Sequence, residues 1–202
     1  MKRLRKLTKP ALIAALIGTC LFLWACTQGP RINEAPLPEG WPELTPVGEI
    51  QVKQYPVYRA AVIDEGTNGS QSGMFRPLFN HIQHEDIAMT APVEMTYDGD
   101  VQSSMAFLYR NTEMGTLGSD TSDKRVEVRQ IDQQTAVSIG VRGRYSQDNY
   151  NEALDKINAW LDENKDQWQA IGEPRVLGYN SPFVPGFLRY SEVQIPVEPT
   201  KD

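Results

Sequence analysis

"MFRPLFNHIQHEDIAMTAPVEM", residues 74–95, joins a helical pattern to an extended one. Phe75, Leu78, Phe79 and Ile82 fall at i, i+3, i+4 and i+7, the spacing of an amphipathic helix. Ser72 is its candidate cap, and Pro77 sits early enough to be tolerated near the first turn. From Ile87 the period shortens. "IAMTAPVEMTY" (87–97) reads as a strand with Met89, Ala91 and Val93 on one face, and "SSMAFLYR" (103–110) follows across "DGD" (98–100), a hairpin signal. The same stretch holds the only two histidines of the chain, His81 and His84.

Outward from this stretch the order recurs. Upstream, "EIQVKQYPVYRAAVI" (49–63) reads as a long strand bulged at Pro56, followed by a loop over 64–73. Downstream, residues 125–131 and 135–145 read as strands. Residues 146–168 read as the longest helix, with Tyr150, Ala153, Leu154, Ile157 and Leu161 on one face and Ser146 or Asp148 as its cap. Residues 173–180 and 186–197 read as closing strands. Strand, helix, strand, strand thus occurs twice, without sequence identity between the copies. The fold class expected is α+β, two helices on a curved, largely antiparallel sheet.

These residues resemble the SOUL haem-binding family. Phe75, Leu78, Phe79 and Ile82, then Ile87, Ala88, Met89, Thr90, Ala91, Pro92 and Val93, match its helix-to-strand motif position by position. Tyr179, Asn180, Pro182, Pro185, Arg189, Glu192 and Val193 match its closing turn and strand. The likeness covers about residues 49–197. The sequence departs from the family pattern in the shorter "QHED" loop, in Asp86 where Lys is common, and in Ser191 where Asn is usual. The resemblance implies a distorted barrel of two pseudo-symmetric halves, similar to bacterial effector-binding domains. It also implies tetrapyrrole binding in a hydrophobic cleft, with no catalytic triad.

The N-terminus is of another kind. Lys2, Arg3, Arg5, Lys6 and Lys9 precede the fifteen uncharged residues "ALIAALIGTCLFLWA" (11–25) and then Cys26. A basic region before a short apolar run is a secretory signal, too short for a membrane span. Leu23, Trp24, Ala25 and Cys26 resemble a bacterial lipobox, so Cys26 is the expected lipid anchor and residues 1–25 the signal peptide. Thr27 after it, rather than Asp, favours the outer membrane. Residues 26–48, with Pro30, Pro36, Pro38, Pro42 and Pro46, read as an extended tether, and residues 49–198 as the domain. Five basic residues leave with the signal, so the 20 basic residues become 15 against 26 acidic ones, a net charge of −11. That balance argues against a nucleic-acid partner.

Two chemistries compete for the candidate site. In the first, the domain binds haem or another flat hydrophobic ligand. His81 or His84 is then the candidate axial ligand, with Met89 and Met95 as softer ones. Phe75, Phe79, Phe183 and Phe187 are candidate pocket lining, and Arg142 and Arg144 candidate partners for haem propionates. Each has a structural alternative: a solvated helix face for the histidines, core packing for the methionines and phenylalanines, a strand edge for the arginines. A zinc site on the two histidines would need Glu85, Asp86 or other carboxylates to complete it, since no free cysteine remains. In the second chemistry, Glu94 serves a small hydrolase as general base, and its sign would be a buried carboxylate with a raised pKa. A scaffold lipoprotein without a ligand is the third reading.

Overall fold

The structure is a computed structural model, and it describes residues 35–64, 71–98 and 101–200. The signal region, Cys26 and the first part of the expected tether lie outside the described residues. Ten strands form one antiparallel sheet in the order β1-β7-β10-β9-β3-β4-β2-β6-β5, with β8 beside β10. They are β1 Ile50–Tyr55, β2 Tyr58–Asp64, β3 Val93–Asp98, β4 Val101–Leu108, β5 Gly118–Ser119, β6 Glu127–Ile131, β7 Gln134–Arg142, β8 Trp168–Ala170, β9 Arg175–Gly178 and β10 Tyr190–Pro199. Helix α1 spans Gln71–His84 and helix α2 Gln147–Glu163.

The expected strand at 49–63 is two strands, broken at Pro56, which has no N–H to donate to a ladder. The expected strand at 87–97 begins only at Val93. Ser72, the expected cap of α1, is the second residue of the helix. Ser146 does cap α2, accepting a hydrogen bond from the Asn149 N–H. The short strands β5 and β8 carried no sequence signal.

The two halves are visible in the pairing. β2, α1, β3 and β4 make one half, and β7, α2, β9 and β10 the other. β3 pairs with β9 at the centre, and β4 and β10 flank them symmetrically. β1 adds to the edge of β7, and β6 to the edge of β2. Only Pro56 and Val57 separate β1 from β2, so the sheet must roll to bring its distant edges together. Period-two alternation then sends successive side chains to two different environments. Val137, Ile139, Val193 and Ile195 face the helices and join Met74, Leu78, Ile82 and Ile157 in the main core. Tyr55, Ala136, Leu177 and Tyr190 face the inside of the roll.

Residues 35–48 are not a free tether. Leu44 and Thr45 are buried, and the Trp41 ring sits edge-on to Tyr55 and Tyr58, at 4.8 and 5.4 Å. The Gly48 N–H donates to Gly140 O at 2.8 Å, and Val47 bridges Gly140 in parallel. This strap closes the inner face of the sheet. Its prolines give extended backbone, which composition alone does not distinguish from a linker.

Candidate functional site

The two helices leave the central pair β3–β9 between them. Over that floor lies a cleft of about 130 Å³, bounded by the first turn of α2 and by β10. Tyr97, Tyr145 and Tyr150 form its aromatic walls, and Val176 and Val193 are among its floor residues. The Tyr97 and Tyr150 rings lie 4.9 Å apart, and burial pushes the Tyr97 hydroxyl above its ordinary pKa. Gly178 is what lets Tyr145 lie so close to the sheet: a Cβ there would stand 3.3 Å from the Tyr145 ring. The Tyr145 hydroxyl accepts from the Asn180 N–H at 2.9 Å and donates toward Tyr190 O at 3.1 Å, which fixes the ring. Arg144, exposed, brings a positive charge to the cleft.

The sequence-predicted ligands do not gather there. His81 is buried, with 4% of its surface exposed, rather than set on the flank of the helix. Its Nδ1 meets the Asp120 carboxylate and its Nε2 meets the Tyr109 hydroxyl at 2.7 Å. Burial opposes ionisation of Asp120, but hydrogen bonds from Ser122, Asp123 and His81 hold its carboxyl well below the usual range. An ionised Asp120 only accepts, so Nδ1 carries the proton. Burial pushes the Tyr109 hydroxyl above its ordinary pKa, so it keeps its proton and pairs with Nε2 as a neutral phenol. Both ring nitrogens are committed. His84 is exposed and meets Glu85 at 3.2 Å.

The other candidates scatter. Phe75 packs edge-on to Phe107 in the main core, and Phe79 is 38% exposed and stacks on Phe75. Met89 is half-buried against the main core, and Met95 lies within it. Arg142 donates to Leu188 O at 2.8 Å and lies over the Tyr190 ring. Phe183 and Phe187 stand out in solvent.

Sequence reasoning missed a polar cluster on the inner face. Glu192 is wholly buried and accepts from Lys53 at 2.9 Å, from the Thr45 N–H at 2.6 Å and from Gln194 at 2.9 Å. The hydroxyls of Tyr55, Ser138, Tyr179 and Tyr190 complete its shell. Burial opposes its ionisation, and Lys53 and these donors overcome it, holding the carboxyl below the ordinary glutamate value. Beside it Arg175 meets Glu94 at 3.2 Å and Tyr58 at 3.3 Å. The legible signal was Lys53 two residues before Tyr55, on one face of a strand. The Glu192 carboxylate runs opposite to the sign expected of a general base. Glu94 is tied to Arg175 on the face away from the cleft.

A family model described as SOUL heme-binding protein matches residues 43–196, three quarters of the chain. The chain belongs to the SOUL heme-binding protein family. No curated protein matches it. Among solved structures, EcmrR in complex with DNA is similar with a TM-score of 0.60 at 15% identity, over 75% of this chain; the chain spans only 58% of that one. The EcmrR C-terminal domain alone gives 0.57 at 14% identity, covering 75% and 98% of the two chains. A hydrolase from Listeria innocua gives 0.54 at 12% identity, covering 76% and 94%. At these identities the likeness is one of fold.

The SOUL family name implies haem, and the residues here do not fit an iron-ligated one. His81 would have to abandon Tyr109 to free Nε2, and His84 points into solvent beside Glu85. Among the described residues no three His, Cys, Asp or Glu side chains converge to hold a metal ion. The cleft is also smaller than the ~300–1,000 Å³ usual for small-molecule pockets. What it offers a ligand is aromatic surface and one exposed cation.

Proposed function

We propose that this SOUL domain binds a flat hydrophobic ligand, a tetrapyrrole being the foremost class, in the cleft over β3 and β9, for carriage or buffering. The observation that carries the reading is the convergence of Tyr97, Tyr145 and Tyr150 on one cleft with Arg144 beside it. Flat ligands gain from aromatic surface, and an anionic substituent gains from the guanidinium. The small volume admits one edge of such a ligand, and no histidine ligation is required. The membership in a heme-binding family supports the class.

A haemin titration followed by Soret absorbance tests it. Arg144→Glu is expected to weaken binding about fivefold, the scale of one exposed charge contact of ~1 kcal/mol. His84→Ala is expected to leave binding unchanged. Saturable binding lost in His84→Ala and kept in Arg144→Glu would contradict the reading.

The chain is further proposed to sit in the cell envelope as a lipoprotein facing the periplasm, acylated at Cys26 after removal of residues 1–25. The Leu-Trp-Ala-Cys stretch at 23–26 supports this. Cys26→Ser should move the protein from the membrane to the soluble fraction; continued membrane attachment would contradict it.

A further inference from the structure

We propose that the loop between β9 and β10, residues 181–189, docks on the lipid bilayer with Phe183 and Phe187 as its inserted side chains. The inference rests on the Cys26 anchor proposed above. Phe183 is 92% exposed and Phe187 73%, the two most exposed large hydrophobic side chains among the described residues. Neither lines the ligand cleft.

The loop that presents them is held firmly. Arg189 donates to Val184 O at 2.8 Å and to Pro182 O at 2.6 Å, and Arg142 holds Leu188 O. Gly186 admits the Arg144 side chain, which a Cβ would meet at 2.5 Å. The phenylalanines are therefore presented outward by a preorganised loop, so insertion orders little that is not already fixed.

Charge selects a membrane as the occupant. The whole chain is acidic, at −6, yet "YNSPFVPGFLRY" (179–190) and "VRGRYSQ" (141–147) hold Arg142, Arg144 and Arg189 and no acid. A basic surrounding with projecting aromatics suits anionic headgroups over an apolar interior. Antiparallel pairing of Val93 with Gly178 sets the start of β3 beside the end of β9, where the loop begins. The Ala91 N–H donates to Pro36 O at 3.0 Å, so Pro36 lies at this same end of the sheet. Nine residues from Cys26 to Ala35 reach at most about 30 Å. A domain of this size is about 40 Å across. The anchor thus keeps the domain within reach of the headgroups.

The test couples the chain beginning at Cys26, its only thiol, to maleimide lipid in phosphatidylethanolamine–phosphatidylglycerol vesicles with brominated acyl chains. Phe183→Trp should add tryptophan emission that the bromolipid quenches. Ile171→Trp, at an exposed position before β9 and so at the opposite end, should add emission that survives. Equal quenching of the two variants, or none in either, overturns the proposal. Mass spectrometry of Cys26 from cells tests the anchor separately. An acylated Cys26 with an unquenched Phe183→Trp would sink the docking loop and spare the anchor. Quenching with an unmodified Cys26 would do the reverse.

Discussion

His81 and His84 are three residues apart and have opposite fates. On a helix turning 100° per residue, the apolar pattern centred the buried stripe on Phe75, Leu78, Phe79 and Ile82. The stripe that is buried runs through Met74, Leu78, His81 and Ile82, rotated by roughly 70°. The pattern misled because it scored His81 as polar and therefore outward. Asp120 and Tyr109, 39 and 28 residues away in sequence, satisfy both its nitrogens and make it a core residue. No local signal names such distant partners. His81→Ala strands a buried carboxylate and a buried hydroxyl, so thermal or urea unfolding should show a loss of about 2–3 kcal/mol. His84→Ala should change stability by no more than about 0.5 kcal/mol. Equal effects of the two changes would contradict the assignment.

Among elements, the strands and helices of the two halves were legible because each carries a strong period and clear turn chemistry around it. The strap was not. Residues 35–48 have no period, and what holds them is specific contact: Trp41 on Tyr55 and Tyr58, Thr45 on Glu192, Gly48 on Gly140. Gly140 is the test of that packing. A Cβ there would stand 2.4 Å from Thr45 O and 2.5 Å from Pro46 O, both backbone atoms. Gly140→Ala must therefore push the strap off β7. A cost of about 1–3 kcal/mol is expected, as for other overpacked sites. Limited proteolysis should then cut within residues 35–48. A variant as resistant as the native chain would show that the strap does not bear on β7.

At the scale of the whole molecule, the helix face and the inner face divide the labour. The helix face is apolar with a tyrosine-walled cleft, and the inner face is polar, buried and closed by the strap. Two buried carboxylates, Glu192 of the inner cluster and Asp120 beside His81, make stability depend on acid. Glu192 and Asp120 are both held below their ordinary values, so their ionised forms contribute fully above the unfolded values near 4.3 and 3.9. That contribution is lost as pH falls through the lower folded values. Glu192→Gln should cost about 3–5 kcal/mol at neutral pH, as breaking a buried pair does, and should flatten the acid limb of a stability–pH profile. An unchanged acid limb would place the acid sensitivity elsewhere. The fold was legible in sequence through one motif and its topological echo. The cleft was not, because Tyr97, Arg144, Tyr145, Tyr150 and Val176 meet only once the two halves pair through β3 and β9.

The proposed ligand site is the cleft over β3 and β9. A backbone amide spectrum of the protein titrated with gallium protoporphyrin tests it most directly. The shifted resonances are expected to cluster at residues 144–150, 176–178 and 191–193. Shifts confined to the neighbourhood of His84, or to the loop at 181–189, would contradict it.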